Sequence, residues 1–91
     1  MQRKSQDEVE AEDSDFLINV AAEVKKARQK HGPMHSPHEA YAVILEELDE
    51  FWDEVRKQRA NYDSEAAYME LIQIAAMACR AAADCCYRYG G

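Results

Sequence analysis

The sequence predicts an all-α protein with three main helices per chain, two of which pair as an antiparallel hairpin. Apolar residues recur three and four positions apart in three segments, which is the spacing of one face of an α-helix. Each segment begins beside a residue that caps helices well, and no segment shows the alternating apolar and polar pattern of a strand. Because a chain of 91 residues that is rich in Ala buries little apolar surface, we also expect it to borrow core from a partner chain.

The N-terminal part of the chain divides into a tail and a first helix. Residues 1–15 carry two basic and six acidic side chains and few apolar ones, so they are predicted to form a disordered acidic tail. Residues 16–91 are predicted to form a single helical domain. Its first helix covers residues 16–31, begins at Ser14 or Asp15 and ends at the dipeptide Gly32-Pro33. The apolar face of this helix consists of Leu17, Val20, Ala21, Val24 and Ala27.

The second helix has the strongest start signal in the chain. Ser36 at the N-cap, Pro37 at the first helical position and Glu39 three residues after the cap form a capping box. We expect this helix to run from Pro37 to about Arg59. Its predicted apolar face consists of Tyr41, Ile44, Leu45, Leu48, Phe51 or Trp52, and Val55.

The third helix is predicted to run from about Glu65 to Arg88, where Gly90-Gly91 ends it. The small residues on its apolar face allow close approach of another helix. That face consists of Ala67, Leu71, Ile74, Ala75, Ala78 and Ala82. A second row on the same helix also advances by three or four positions, and it consists of Glu70, Gln73, Met77, Arg80 and Asp84.

The charge of the chain excludes some classes of partner. With 18 acidic and 11 basic residues the net charge is −7, and such a chain binds nucleic-acid polymers poorly. No apolar run approaches the roughly 20 residues of a membrane span, and the N-terminus lacks the apolar stretch of a signal peptide. We therefore expect no membrane partner and a cytoplasmic location. The cysteines Cys79, Cys85 and Cys86 are expected to be free thiols.

Six acidic residues crowd positions 46–54 of the second helix. Glu47 and Glu50 share a face there, and a row of like charges usually points into solvent. These acids lie beside the apolar face, however, where a cation can compensate them. Counting outward from the turn of the hairpin places Glu50 opposite Gln73, with Glu70 nearby, so the four side chains are expected within reach of one ion. Mg²⁺ suits such a site, because it takes a few carboxylate oxygens together with water and substrate phosphates.

Two segments, HEAYAVILEELDEFWDEV and MELIQIAAMACRAAAD, together resemble the all-α nucleoside triphosphate pyrophosphohydrolase superfamily, the MazG-like proteins. The family motif is Glu-Glu-x-x-Glu, followed after a gap by Glu-x-x-Asp. The run Glu46-Glu47-Leu48-Asp49-Glu50 fits the first half. The run Glu70-Leu71-Ile72-Gln73 fits the second half, except that Gln73 stands where the family has Asp. The resemblance covers residues 16–86.

The resemblance implies hydrolysis of a nucleoside triphosphate to the monophosphate and pyrophosphate. It implies Mg²⁺, with Mn²⁺ as an alternative, held by the residues Glu47, Glu50, Glu70 and Gln73. The catalytic residues are then Glu46, Glu47 and Glu50, with Glu46 accessory to the metal. It further implies a homodimer or a dimer of dimers, in which helices from different subunits complete a four-helix bundle. Gln73 offers an amide oxygen without charge, which lowers the electrostatic affinity for the ion.

Three more residues are candidates for binding the substrate. Arg80 follows Gln73 on the same helical face and is suited to a phosphate, as is His38 at the start of the second helix. Trp52 is suited to stacking on a base. His31 and His35 share with His38 a spacing that also permits a zinc site, although Gly32-Pro33 interrupts it.

Two other functions remain open on the sequence. A catalytically weak or inactive MazG-like fold would bind nucleotide or cation without turnover. A helical oligomerisation module would carry its acids on the solvent side only. Stabilisation by a metal ion separates this last function from the others, because only a real site gains binding free energy from the ion.

Overall fold

The computed structural model describes residues 3–87, which form three α-helices joined by short connections. The helices are α1 (Gln6–Lys30), α2 (Pro37–Val55) and α3 (Ser64–Ala81). A 3₁₀ turn, Arg59–Asn61, lies between α2 and α3, and a π-helical turn, Ala82–Cys86, continues α3. No strand occurs within the described residues, and the predicted all-α fold is confirmed. Helix α3 packs against both α1 and α2, and α2 and α3 form the hairpin.

Helix α1 begins earlier than predicted, at position 6 instead of 16. Ser5 caps it, since its hydroxyl accepts a hydrogen bond from the backbone N–H of Glu8 at 3.1 Å. Acidic side chains fill the first turn, where the helix dipole favours negative charge, and Lys4 pairs with Glu12 at 2.7 Å. Residues 6–15 are therefore helical, in contrast to the expected disordered tail, although every one of them is exposed. Capping and local charge pairs, rather than burial, account for this part of the helix.

The capping box at the start of α2 is present in a modified form. The Ser36 hydroxyl accepts a hydrogen bond from the backbone N–H of Glu39 at 3.1 Å. The Glu39 carboxylate accepts in return from the backbone N–H of His35, one residue before the cap, at 2.7 Å. The predicted end near Arg59 is wrong, because α2 ends at Val55. The residues that follow Val55 in the sequence are RKQR, which offer no apolar side chain to pack on α3.

Helix α3 begins at Ser64, one residue before the predicted start at about Glu65. Asp63 is its N-cap, and the carboxylate accepts hydrogen bonds from the backbone N–H groups of Glu65 and Ala66 at 3.0 and 3.1 Å. Regular α-helical geometry ends at Ala81, earlier than predicted, and passes into the π-helical turn. The predicted end at Arg88 and the two glycines after it lie outside the described residues.

The buried faces of α1 and α3 agree only in part with the predicted ones. Because α3 lies between the other two helices, it is buried on two sides. Its buried residues are Ala67, Ile72, Ala76, Met77 and Arg80. Leu71 and Ala78 of the predicted face are exposed. On α1, Val20 and Ala27 are buried as expected, whereas Leu17 is exposed. A single apolar stripe does not describe a helix that is contacted on two sides.

Helix α2 has two apolar faces, and the single chain covers only one of them. The covered face consists of Ala40, Val43, Ile44, Glu47, Phe51 and Glu54, all buried or half-buried. The other face leaves large apolar side chains exposed four and three positions apart, and it consists of Tyr41, Leu45, Leu48, Trp52 and Val55. The predicted stripe mixed residues of the two faces, because the sequence shows both as apolar. The covered face is the one that brings carboxylates between the helices.

No helix in the described part of the chain is both long and apolar enough to span a bilayer. Cys79, Cys85 and Cys86 are free, as expected.

Candidate functional site

Three carboxylates meet between α2 and α3, and we call them the carboxylate trio: Glu47, Glu50 and Glu70. One carboxylate oxygen from each lies within 4.8 Å of the others. Glu47 and Glu50 are three positions apart on α2, so they share a face, and α3 runs back along that face with Glu70. The structure therefore brings together three of the four residues that the sequence placed around one ion.

Burial and mutual repulsion raise pKa values within the trio. Burial is the largest cause that raises the pKa of Glu47 to about 7, and the neighbouring acids Glu50, Glu70 and Glu46 add to it. Burial also raises the pKa of Glu70, followed by a hydrogen bond and the charge from Glu50. Near pH 7 Glu47 is thus protonated in a substantial fraction of the molecules, whereas an isolated glutamate would be ionised. A cation among these oxygens would reverse this preference, because it favours the charged carboxylates.

No basic side chain neutralises the trio within residues 3–87. The ion pairs of the neighbouring acids lie elsewhere: Glu54 pairs with Lys57 at 2.9 Å, and Asp53 pairs with Arg56 at 3.0 Å. One oxygen of Glu70, Oε2, is buried and has no hydrogen-bond partner. A buried carboxylate oxygen without a partner is costly, so the trio is a place where a bound cation would relieve an existing penalty.

A cavity of about 680 Å³ opens beside the trio, and we call it the central cavity. All three helices contribute to its wall, together with the loop of residues 31–35 between α1 and α2. Glu47 lines it and so connects it to the trio, and Glu46 and Gln73 line it as well. The predicted metal ligand Gln73 therefore faces the same space as Glu47.

Acidic and basic side chains both line the central cavity. Glu46 and Glu47, in the middle of α2, and Gln73 on α3 lie near the trio. The loop end is lined by Arg80, by Lys30 where α1 passes into the loop, and by Glu39, whose carboxylate accepts a hydrogen bond from the backbone N–H of His35. An anionic ligand in this cavity could contact a cation held by the trio and the side chains of Arg80 and Lys30.

Arg80 is a buried member of the cavity wall, with 5% of its surface exposed. Its Nη2 donates a hydrogen bond to the backbone oxygen of Gly32 at 2.9 Å, and its Nη1 donates to the sulfur of Met77 at 3.4 Å. The remaining nitrogen, Nε, is buried without a partner. The predicted phosphate contact thus lies at the cavity, as a guanidinium fixed by neutral groups.

Asp84, in the π-helical turn, holds the loop that forms one cavity wall. Its carboxylate accepts a hydrogen bond from the backbone N–H of Met34 at 2.9 Å and pairs with Arg28 of α1 at 3.0 Å. The hydrogen bond from Met34 is the largest cause that lowers the pKa of Asp84, and the charges of Arg28 and Arg80 lower it further. Asp84 therefore connects α1, the loop and α3 at one point.

Two of the predicted substrate-binding residues lie away from the cavity. His38 is exposed on the first turn of α2, and Trp52 is 56% exposed on the outer face of α2; neither lines the central cavity. His31 and His35 do line it. No histidine belongs to a metal-ligand cluster in the described part of the chain, so the zinc alternative gains no support.

Sequence reasoning missed the cavity residues on α1. Lys26 and Lys30 line the central cavity, and neither was predicted from the sequence to be a site residue. A signal for them exists: they are four positions apart and flank Ala27, which is buried, so they border the packed face of α1. What the sequence does not show is that the loop and α3 close a cavity beside that border.

Comparison with protein-family models, with curated proteins and with solved structures finds no match to this chain. The resemblance to the MazG-like proteins therefore rests on the motif residues quoted above and on their expected placement.

Proposed function

We propose that this chain hydrolyses a nucleoside triphosphate to the monophosphate and pyrophosphate, in a reaction that depends on Mg²⁺ or Mn²⁺. The observation that carries the proposal is the carboxylate trio, which forms no ion pair with a basic side chain of residues 3–87 and lies beside a cavity that Lys26, Lys30 and Arg80 also line. The resemblance of the two acidic motifs to the MazG-like family supports the same activity. A cytoplasmic location belongs to the proposal as well.

The donor set fits a hard divalent cation. Three carboxylates supply oxygen ligands, which Mg²⁺ and Mn²⁺ prefer, and no thiol or imidazole joins them among the described residues. The buried Oε2 of Glu70 has no hydrogen-bond partner, and the raised pKa of Glu47 reflects burial and the neighbouring negative charges, which a cation would offset. Glu47, Glu50 and Glu70 would hold the ion, with the amide oxygen of Gln73 as the fourth protein ligand. When bound, the ion would neutralise phosphate charge and favour ionisation of an attacking water.

The side chains around the trio divide the remaining tasks. Glu46 lines the cavity but is not part of the trio, so it is free to orient the attacking water and to accept its proton. Arg80 and the lysines of α1 line the same cavity and would offer positive charge to the departing pyrophosphate. In the reaction a water oxygen bonds to the α-phosphorus, the bond from that phosphorus to the bridging oxygen breaks, and pyrophosphate departs with the electron pair.

The proposal includes a homodimer or a dimer of dimers. The outer face of α2 carries five large apolar residues in a four-three repeat, and all five are exposed in the single chain. This repeat is the pattern of a helix that packs against another helix along a seam. A second copy of α2 and α3 would complete a four-helix bundle around it.

A binding module without turnover is the second candidate, and Gln73 favours it. An amide contributes no charge, so the ion would be held less strongly than with the aspartate of the family motif. Nucleotide or cation would then bind in the same cavity and remain unreacted.

A screen of canonical and modified nucleoside triphosphates with Mg²⁺ and Mn²⁺, measuring pyrophosphate release, tests the activity. We expect metal-dependent release from at least one nucleotide and its loss in the Glu50→Gln variant. Saturable nucleotide binding without release would favour the binding module. A chain that neither binds nor hydrolyses any nucleotide, and that is not stabilised by Mg²⁺ or Mn²⁺, would reject both candidates and leave the oligomerisation module.

A further inference from the structure

We propose that three basic side chains of the central cavity form an anion site that holds the pyrophosphate half of the substrate: Arg80 and Lys30 at the loop end, and Lys26 about one turn earlier on α1. The inference rests on the proposed function for the identity of the ligand. It adds an orientation, with the terminal phosphates toward the loop and the bond to be cleaved beside the carboxylate trio. It also adds an independent property, which is binding of pyrophosphate without any metal.

The charge of Arg80 is buried without a full counter-charge. The side chain is nine-tenths buried or more, and both of its hydrogen bonds go to neutral acceptors, the Gly32 carbonyl and the Met77 sulfur. No carboxylate of residues 3–87 forms an ion pair with it. Asp84 is near enough to respond to its charge, but that carboxylate already binds Arg28 and the Met34 N–H. Burying a cation in this way is expensive, and an anion in the cavity would compensate it.

Two lysines add positive charge on flexible side chains to the cavity that the fixed Arg80 guanidinium lines. Lys26 and Lys30 are four positions apart on α1, and both line the cavity while remaining exposed. Neither forms an ion pair in the described part of the chain. Glu23 and Glu39 line the same cavity, but neither forms an ion pair with these cations, and the Glu39 carboxylate accepts the His35 N–H. One fixed guanidinium and two flexible ammonium groups around one cavity suit a ligand with several negative oxygens, such as a diphosphate, better than a single carboxylate.

The distance between the two ends of the cavity suits an extended phosphate chain. Gln73 and Arg80 are seven positions apart on α3, which corresponds to about 10 Å along the helix axis. An ion at the trio and a cation at Arg80 would therefore contact different phosphates of one nucleotide. The protein as a whole is acidic, with a net charge of −7, and repels anions in general. Binding of pyrophosphate by such a chain would report a local basic site.

Titration of the full chain with inorganic pyrophosphate in the presence of EDTA tests the site. Binding is measured by calorimetry and by the shift of the thermal unfolding midpoint, at constant ionic strength. We expect saturable binding by the wild type and at least a tenfold weaker apparent affinity for the double variant Lys26→Gln/Lys30→Gln. Arg80→Gln would also remove the hydrogen-bond donor to the Gly32 carbonyl and can unfold the chain. The test therefore uses variants of the two exposed lysines.

The variant Lys25→Gln is the matched control. Lys25 is exposed on α1, next to Lys26 in sequence, and it does not line the central cavity. It should bind pyrophosphate as the wild type does. The anion site would be overturned if the wild type does not bind pyrophosphate. It would also be overturned if the control and the double variant lose the same affinity for pyrophosphate per lysine replaced.

The two proposals fail in different ways. Pyrophosphate binding in EDTA by a chain that shows no response to Mg²⁺ would uphold the anion site and reject the metal-dependent hydrolase. A Mg²⁺ response that disappears in Glu50→Gln, together with no pyrophosphate binding, would reject the anion site and leave the hydrolase standing.

Discussion

Glu47 joins the two parts of the candidate site, because it belongs to the carboxylate trio and also lines the central cavity. Burial, followed by the charge of Glu50, raises its pKa from 4.5 to about 7. An acid whose pKa is higher in the folded than in the unfolded state stabilises the fold below its unfolded pKa. This stabilisation is lost as the pH rises through the folded pKa. Without metal, the contribution of Glu47 to stability should therefore fall between about pH 4.5 and pH 7.

The Glu47→Gln variant tests this titration. In EDTA, the wild type should lose more thermal stability than the variant when the pH is raised from 5 to 8, because glutamine does not ionise. Circular dichroism at a series of pH values measures the unfolding midpoints. Glu10→Gln, an exposed acid of α1, serves as control and should follow the wild type. Identical pH dependence for Glu47→Gln and wild type would show that Glu47 titrates like a solvated acid.

Gln73 stands where the motif of the MazG-like proteins, which this chain resembles, has an aspartate, and Gln73→Asp should tighten Mg²⁺ binding. Two unit charges roughly 4 Å apart interact by about 4 kcal/mol at an effective dielectric of about 20, and the ion is divalent. Repulsion from Glu47, Glu50 and Glu70 offsets much of this gain, so we expect a net increase in affinity of about tenfold, or about 1.4 kcal/mol. The same repulsion should lower the stability of the metal-free variant. Melting curves with and without Mg²⁺ separate the two effects, and unchanged affinity would mean that Gln73 does not face the ion.

At the level of the helices, α2 shows how far the sequence alone can lead. The cap at Ser36 follows from residue types at fixed spacing, and such local rules hold without tertiary contacts. The meeting of Glu47 and Glu50 with Glu70 could be predicted as well, because a short connection forces the two helices to run back along each other. The choice between the two apolar faces of α2 could not be predicted, since both carry large side chains and only the position of α3 decides which one is covered.

That basic side chains of α1 and α3 would line one cavity was not predictable for a related reason. Lys26 and Lys30 belong to α1, whereas Arg80 belongs to α3, and nothing in the sequence places them around one space. They meet because the loop after α1 is fastened to α3 through Arg80 and Asp84. The start of α1 was missed because composition alone suggested disorder, while Ser5 and the acidic first turn favour a helix.

Asp84 provides a test of how the helices are held together. Asp84→Asn removes the charge that binds Arg28 while keeping the shape, and the side chain is only 9% exposed. We expect the free energy of unfolding to fall by about 1–3 kcal/mol, as for other buried charged hydrogen bonds. Asp53→Asn is the matched control, because Asp53 pairs with Arg56 at the same 3.0 Å but both side chains are at least 60% exposed. Its effect should stay below about 1 kcal/mol. Equal effects in urea unfolding would contradict the anchoring role of Asp84.

For the whole molecule, the outer face of α2 predicts association. Leu48 lies in the middle of this face and is 48% exposed in the single chain. Sedimentation equilibrium at micromolar concentration should give at least twice the chain mass of 10.4 kDa. Leu48→Lys should shift the protein toward the monomer, because it places a charge in the apolar seam, whereas Leu17→Lys on α1 should not. A folded wild-type monomer of 10.4 kDa would contradict the four-helix bundle.

Thermal unfolding with and without Mg²⁺ tests most directly whether Glu47, Glu50 and Glu70 form a cation site. An ion at 100 times its dissociation constant stabilises the folded state by about 2.7 kcal/mol, so the wild-type midpoint should rise with Mg²⁺. Glu50→Gln should lose this rise and keep its helical spectrum. Asp49→Asn, which makes the same charge change at an exposed neighbour outside the trio, should retain it. An equal rise in the wild type and in Glu50→Gln, or no rise in the wild type, would contradict the claim.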